Sequence, residues 1–116
     1  MKSIEVQGIL CKIGGNAIEN WELLEKAKEN NLLFHLSSFP SCYVIYETLN
    51  EDDIKLEIIK ECAILCKNNT KYRNLKNIKV DYTTCSNVIK GDKIGEIIYK
   101  KNKKKKCFIV IKNGIL

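Results

Sequence analysis

No apolar run in the 116 residues approaches the ~20 needed to span a bilayer, which excludes a membrane-spanning helix by length alone. The opening Met1-Lys2-Ser3-Ile4-Glu5 soon meets charge and has no secretory h-region, so a cytoplasmic protein is expected. Without that export signal, the six cysteines have no oxidising compartment in which to pair. They are expected to be free thiols used as small apolar residues. No CxxC pair occurs, His35 is the only histidine, and Cys62 with Cys66 would need two distant partners, so the sequence gives a zinc site little support. Gly14-Gly15 lacks the remaining glycines and the lysine of a phosphate loop. Asp52 and Asp53 are neighbours that point in different directions, so they form no acid/base pair. No metal, cofactor or catalytic set is expected, and the chain is not read as an enzyme.

What is present is ordinary for a globular unit. Hydrophobic residues make up 45% and charged residues 29%, a length and composition that fit one domain over residues 1–116 with a sizeable core. The formal net charge of +6 is localised. Lys100, Lys101, Lys103, Lys104, Lys105 and Lys106 place six lysines in seven positions and equal the whole surplus. Such a run can simply be solvated and guard sheet edges. It can also release counterions from a phosphate backbone, which gives sequence-independent nucleic-acid binding. An anionic membrane is the third target, but no adjacent amphipathic or lipidated segment supports it.

Ile4-Glu5-Val6 and Ile9–Ile13 read as two strands about a Gln7-Gly8 turn. Asn16 and Asn20 both suit an N-cap, with Glu19 in capping-box position, and open a short helix over about residues 17–29. Leu32–Leu36 and Cys42–Tyr46 form a hairpin with a five-residue loop, in a register that sets His35 against Tyr43 and turns Cys42 away from His35. Asn50 and the acids at 51–53 open a longer helix over about residues 52–67, whose stripe of Ile54, Ile58, Cys62 and Leu65 must lie on a sheet. Lys71, Tyr72 and Arg73 fall in a polar loop. Ile78, Val80 and Tyr82 alternate with polar residues, as in a strand with one covered face. Gly91-Asp92 turns, and 96–99 with 107–111 flank the lysine run as a hairpin whose last strand is central. The fold class is α+β, a mostly antiparallel sheet with one long and one short helix packed on it.

One ordered set of signatures runs through this frame: Gly14, Glu19-Asn20, Leu23, Phe34-His35, Cys62-Ala63-x-Leu65-x-Lys67, Tyr82-Thr83-x-x-Ser86-Asn87 and Gly95. In that order, spanning roughly Ile4 to Ile111, the chain resembles the NFACT-R module, also called domain of unknown function 814. Within it, the likeness is to a standalone globular head of the kind that opens coiled-coil-domain-containing protein twenty-five. The resemblance implies a non-catalytic RNA-binding module that meets tRNA, ribosomal RNA or the ribosome in translation or ribosome quality control. It implies a polar cluster at His35, Tyr43, Asn16 and Asn20. The chain departs from the family where Tyr43 replaces a second His, Asn31 an Asp and Glu47 an Arg.

Together these readings place RNA contacts at Lys100, Lys101, Lys103, Lys104, Lys105, Lys106, Lys90, Lys93, Lys71, Tyr72 and Arg73. A protein-interaction adaptor, with a protein partner that supplies missing domains, is the alternative, and a DNA-binding head is a variant of the RNA-binding reading because phosphate contacts do not tell the two nucleic acids apart. A thiol enzyme built on Cys42 or Cys85 is the third reading. It needs a neighbouring base that the hairpin register denies to Cys42.

Overall fold

The structure is a computed structural model and describes residues 1–37, 39–48, 50, 54–111 and 114–115. Its elements in chain order are β1 (Lys2–Val6), β2 (Ile9–Ile13), α1 (Ala17–Lys26), β3 (Leu32–Leu36), β4 (Val44–Tyr46), α2 (Leu56–Asn68), β5 (Asn77–Thr84), β6 (Val88–Lys90), β7 (Ile97–Tyr99), β8 (Lys106–Ile111) and β9 (Gly114–Ile115). Seven strands form one antiparallel sheet in the order β1-β2-β4-β3-β5-β8-β9, and β6 with β7 forms a separate ribbon. The α+β class read from the sequence is the one observed. Among the described residues no helix is long and apolar enough to cross a membrane.

The sheet has apolar cover on both faces. Leu32, Phe34, Leu36, Val44, Tyr46, Ile78 and Val80 turn to one side, where α2 supplies Ile58, Cys62, Ala63 and Cys66. Leu33, Tyr43 and Ile45 turn to the other, against Leu23, Trp21 and Leu24 of α1 and Val88, Ile97 and Tyr99 of the ribbon. Of the predicted stripe, Ile58 and Cys62 are buried on α2, whereas Ile54 precedes the helix and Leu65 is half-buried; burying Ile58 at ~1.5–3 kcal/mol helps to anchor the helix. The hairpin register also holds: Leu32 pairs Tyr46 and Phe34 pairs Val44, which continues to His35 opposite Tyr43.

Several boundaries differ. Helix α1 ends at Lys26 because Ala27 is extended (φ −69°, ψ 147°). Beyond it Asn31 accepts from the Lys28 amide at 3.0 Å and its own amide donates to the Lys28 carbonyl, a closed turn that replaces the helical bonds expected to residue 29. Asn16 is the cap, with its side chain accepting from the Glu19 amide at 2.9 Å. Asn20 is not a cap. It is buried within the helix, donates to the Ser41 carbonyl and accepts from the Tyr43 amide, and so ties α1 to the strand that follows the hairpin loop. A Cβ on Gly14 would run into the Asn20 carboxamide, which accounts for glycine there.

Helix α2 begins at Leu56, with Lys55 at the cap position and no side-chain cap. Asn50 does not open it, because its amide donates to Thr48 Oγ1 in a local turn; the acids expected to fill the first turn at 51–53 lie outside the described residues. Strand β5 buries Asp81 and Thr83 as well as Ile78 and Val80, so both its faces are covered where one was expected. Strand β8 is interior, but only the two-residue β9 lies beyond it.

The lysine run is not a hairpin tip. Strand β7 pairs with β6, whereas β8 pairs with β5, so residues 100–105 cross from the ribbon to the main sheet through a 3-10 turn at Asn102–Lys104. Buried Asn87 sets this path: it accepts from the Lys101 amide at 2.9 Å, donates to the Lys101 carbonyl at 3.0 Å and donates to Thr83 Oγ1 at 3.1 Å. Thr83 in turn donates to the Lys104 carbonyl. Asn87→Ala leaves those backbone groups unpaired and is expected to cost about 1–3 kcal/mol. In urea unfolding this appears as a lower midpoint at unchanged slope.

Candidate functional site

The face of the sheet that carries α1 and the ribbon has one polar rank. His35 on β3 pairs Asp81 on β5, and Asp81 pairs Cys107 on β8. Tyr43 stands on the far side of His35, ring centroids 5.5 Å apart and nearly perpendicular. His35 and Asp81 of this rank line a cleft of about 740 Å³ whose walls come from the Gly14-Gly15-Asn16 turn, the β3–β4 loop, the turn after α2 and the segment leading into β7.

Asp81 is 3% exposed and is held by two partners. The Ser37 hydroxyl donates to it at 2.6 Å and the Lys105 ammonium lies 3.5 Å away. Lys105 also sits over the Tyr99 ring, 4.9 Å from its centroid. Burial pushes the Tyr99 and Tyr43 phenols well up, so both remain neutral. The Tyr43 hydroxyl donates to the Gly95 carbonyl at 2.7 Å, and Gly95 adopts φ +90° where a side chain would meet Ala17. Burial lowers the His35 pKa against weaker upward pulls from a hydrogen bond to the Leu36 backbone and from Asp81. Its imidazole is therefore neutral, with one donor and one acceptor nitrogen.

The sequence-predicted residues separate into three groups. Lys71 and Lys93 are exposed and line the cleft. Lys100, Lys101, Lys103, Lys104 and Lys106 are exposed along the crossover and β8; none belongs to an ion pair among the described residues. The third group is already engaged. Lys105 holds Asp81, Lys90 pairs with Glu25 above the Trp21 ring, and Arg73 donates to the Thr70 carbonyl. Tyr72 is half-buried against Phe39 and the main core, so it is not the freely exposed loop aromatic that the sequence suggested. Asn16 and Asn20 reach the cleft wall, but their hydrogen bonds serve the helix cap and the hairpin.

Of the positions that depart from the family pattern, Asn31 is buried and donates to the Thr48 carbonyl at 2.9 Å, and Glu47 pairs with Lys12 at 3.0 Å. Glu47 therefore presents no uncompensated negative charge. Residues missed at the sequence level are Asp81, Ser37, Tyr99 and Phe39. Asp81 gave no signal in the sequence, because it falls on the polar side of the alternation and only the burial of that side shows that its carboxylate requires partners. Phe39, between Ser38 and the single proline, carried none.

The thiols show no reactive arrangement. Five of the six are buried, and Cys107 is exposed, against the expectation that all would pack inside. Cys42 turns towards α2, where its thiol approaches the Cys66 carbonyl at 3.5 Å; contact with the Cys66 thiol holds it below the usual range, while Cys66 is pushed up. His35 faces the opposite side of the sheet. Cys85 is pushed up to about 12 by burial. Among the described residues no group of three His, Cys, Asp or Glu side chains could hold a metal ion.

His35 gives this site a pH signature. Its pKa in the folded chain lies below the ordinary 6.5, so on acidification the unfolded chain binds a proton that the native one does not, and stability falls as pH drops below 6.5. Glu19, lowered by the Met1 amine and the Gly15 amide from an ordinary 4.5, acts in the same direction only at more acid pH. Melting temperature measured from about pH 7.5 to 5.5 is expected to decline in the wild type and to be flatter in His35→Gln. Identical slopes in both would show that His35 titrates as it does in the unfolded chain.

No curated protein sequence matches the chain. Among solved structures it is similar to the C-terminal part of the fibronectin/fibrinogen-binding protein from Streptococcus suis, with 27% identity and a TM-score of 0.79, covering 98% of this chain and 48% of that one. The chain thus spans about half the length of that relative. Residues 2–101 match the family described as NFACT protein RNA binding domain. That match covers most of the polar rank, the cleft and the start of the basic crossover, and the chain belongs to the NFACT RNA-binding domain family.

Proposed function

We propose that this chain is a non-catalytic module that binds structured RNA, either tRNA or ribosomal RNA within the ribosome, in a cytoplasmic translation or ribosome quality-control setting. The observation that carries the reading is the crossover. Five exposed lysines, at positions 100, 101, 103, 104 and 106, lie on or beside a backbone whose path Asn87 and Thr83 hold in place. A fixed array of ammonium groups contacts phosphates without reading bases. Membership of an RNA-binding family supports RNA as the polyanion.

Removing all six lysines would strip Asp81 of its cation, so the variant that tests this reading keeps Lys105. Serine at Lys100, Lys101, Lys103, Lys104 and Lys106 is expected to abolish most tRNA affinity at physiological salt without moving the melting temperature. The slope of log K against log salt should shrink by roughly 0.7–0.9 for each phosphate that is no longer neutralised. Lys105→Ser alone is expected to lower stability by about 1–3 kcal/mol, since it unpairs a buried carboxylate. A five-fold variant that shifts tRNA with unchanged affinity and salt slope would remove the crossover from the interface.

One feature favours the adaptor reading. Ile89 and Ile98, paired across the ribbon, are 45% and 46% exposed. A partner held there would remain bound after nuclease treatment, whereas one bridged by RNA would be released.

A further inference from the structure

We infer that the cleft over the His35–Asp81 rank receives a single unpaired nucleotide of the bound RNA, its base stacked on Phe39 and its phosphate met by Lys71 and Lys93. This rests on the RNA-binding reading above and names which part of the RNA enters.

Four observations carry it. The cleft volume of about 740 Å³ falls in the ~300–1,000 Å³ range of sites that enclose a small organic group. Phe39 lines it and keeps 36% of its surface exposed. The ring is nonetheless fixed, because it packs on Tyr72 at 4.4 Å between centroids with 34° between planes, and Tyr72 is packed against the main core. An exposed aromatic held rigid from behind is a stacking platform with little left to order on binding.

Charge at the cleft favours an anion. Asp81 is paired with Lys105 and held by Ser37, and Glu96 keeps its charge while accepting from the Asp92 amide, so the lining sets Lys71, Lys93 and Lys105 against two carboxylates. Lys71 and Lys93 are exposed there and form no ion pair among the described residues; Lys71 lies 5.3 Å from the Tyr72 centroid, beside the platform. The neutral His35 imidazole has one nitrogen engaged by the Leu36 backbone and adds the other as a polar group, which suits a base edge better than an apolar guest. A paired base is stacked within its duplex and cannot reach an aromatic wall, so the occupant must be unpaired.

The test compares a blunt RNA hairpin with the same hairpin carrying a short single-stranded 3′ overhang, by fluorescence anisotropy at fixed salt. The wild type should bind the overhang RNA about tenfold more tightly. Phe39→Ala should bring the two affinities together and leave the blunt hairpin nearly unchanged, whereas the surface double variant Lys71→Ser/Lys93→Ser should weaken both RNAs and the overhang RNA more, so that the ratio of the two affinities falls towards one. Phe39→Tyr should keep the preference. The double variant alters only exposed side chains, so it decides the matter even if Phe39→Ala melts early. Equal affinity of the wild type for both RNAs would overturn the cleft as a nucleotide site while leaving RNA binding intact. Failure to bind either RNA would bring down both readings together.

Discussion

The constraint on which this structure depends is that β3 and β4 are buried on both faces. Every side chain from Leu32 to Leu36 except His35, and every one from Cys42 to Tyr46, is buried. In a two-faced strand a slip of one residue would still bury apolar atoms on each side, so hydrophobicity alone fixes the register weakly. Polar ties fix it here. Asn20 holds the Tyr43 amide and the Ser41 carbonyl, Tyr43 holds Gly95, and Ser41 accepts the Leu36 amide. A slip would break all of them at once.

The same ties place the functional groups. Because the register sets His35 beside Asp81 and Asp81 beside Cys107, the polar rank falls on the face that α1 and the ribbon cover incompletely, and the gap is the cleft. Lys105 closes one side by its bond to Asp81. It is therefore a structural cation, although its five neighbours in the run are free of ion pairs among the described residues. Position within a lysine run says little about role. The partner of each ammonium decides it, since a cation bound to a buried carboxylate cannot also neutralise a phosphate at no cost.

The cysteines are a useful contrast. Cys11, Cys62 and Cys66 lie in the main core with Cys42, and their thiols meet one another or backbone carbonyls rather than an imidazole. Burial that raises a thiol pKa suppresses the thiolate, and with it nucleophilic chemistry. Cys107 is the exposed thiol of the six, and the exposed crossover presents ammonium groups.

The sequence by itself determined the local pieces whose physics is short-range: the Gln7-Gly8 turn, with φ of 50° and 83°, a short helix opened by an asparagine cap, the Ile58–Cys62 face of α2, the His35–Tyr43 register and the ordered signatures that point to the family. Only the tertiary structure decided which strands pair across long stretches of chain. β8 joins β5 rather than β7, so a run that reads as a hairpin tip becomes a crossover pinned by Asn87. It also decided that Asn20 clamps instead of capping, that Tyr72 supports instead of contacting, and that Phe39 faces the cleft. The physical reason is common to all of these: periodicity and capping are settled within a few residues, whereas the partner of a buried amide, carboxylate or ring is whatever the packed chain brings to it from tens of residues away.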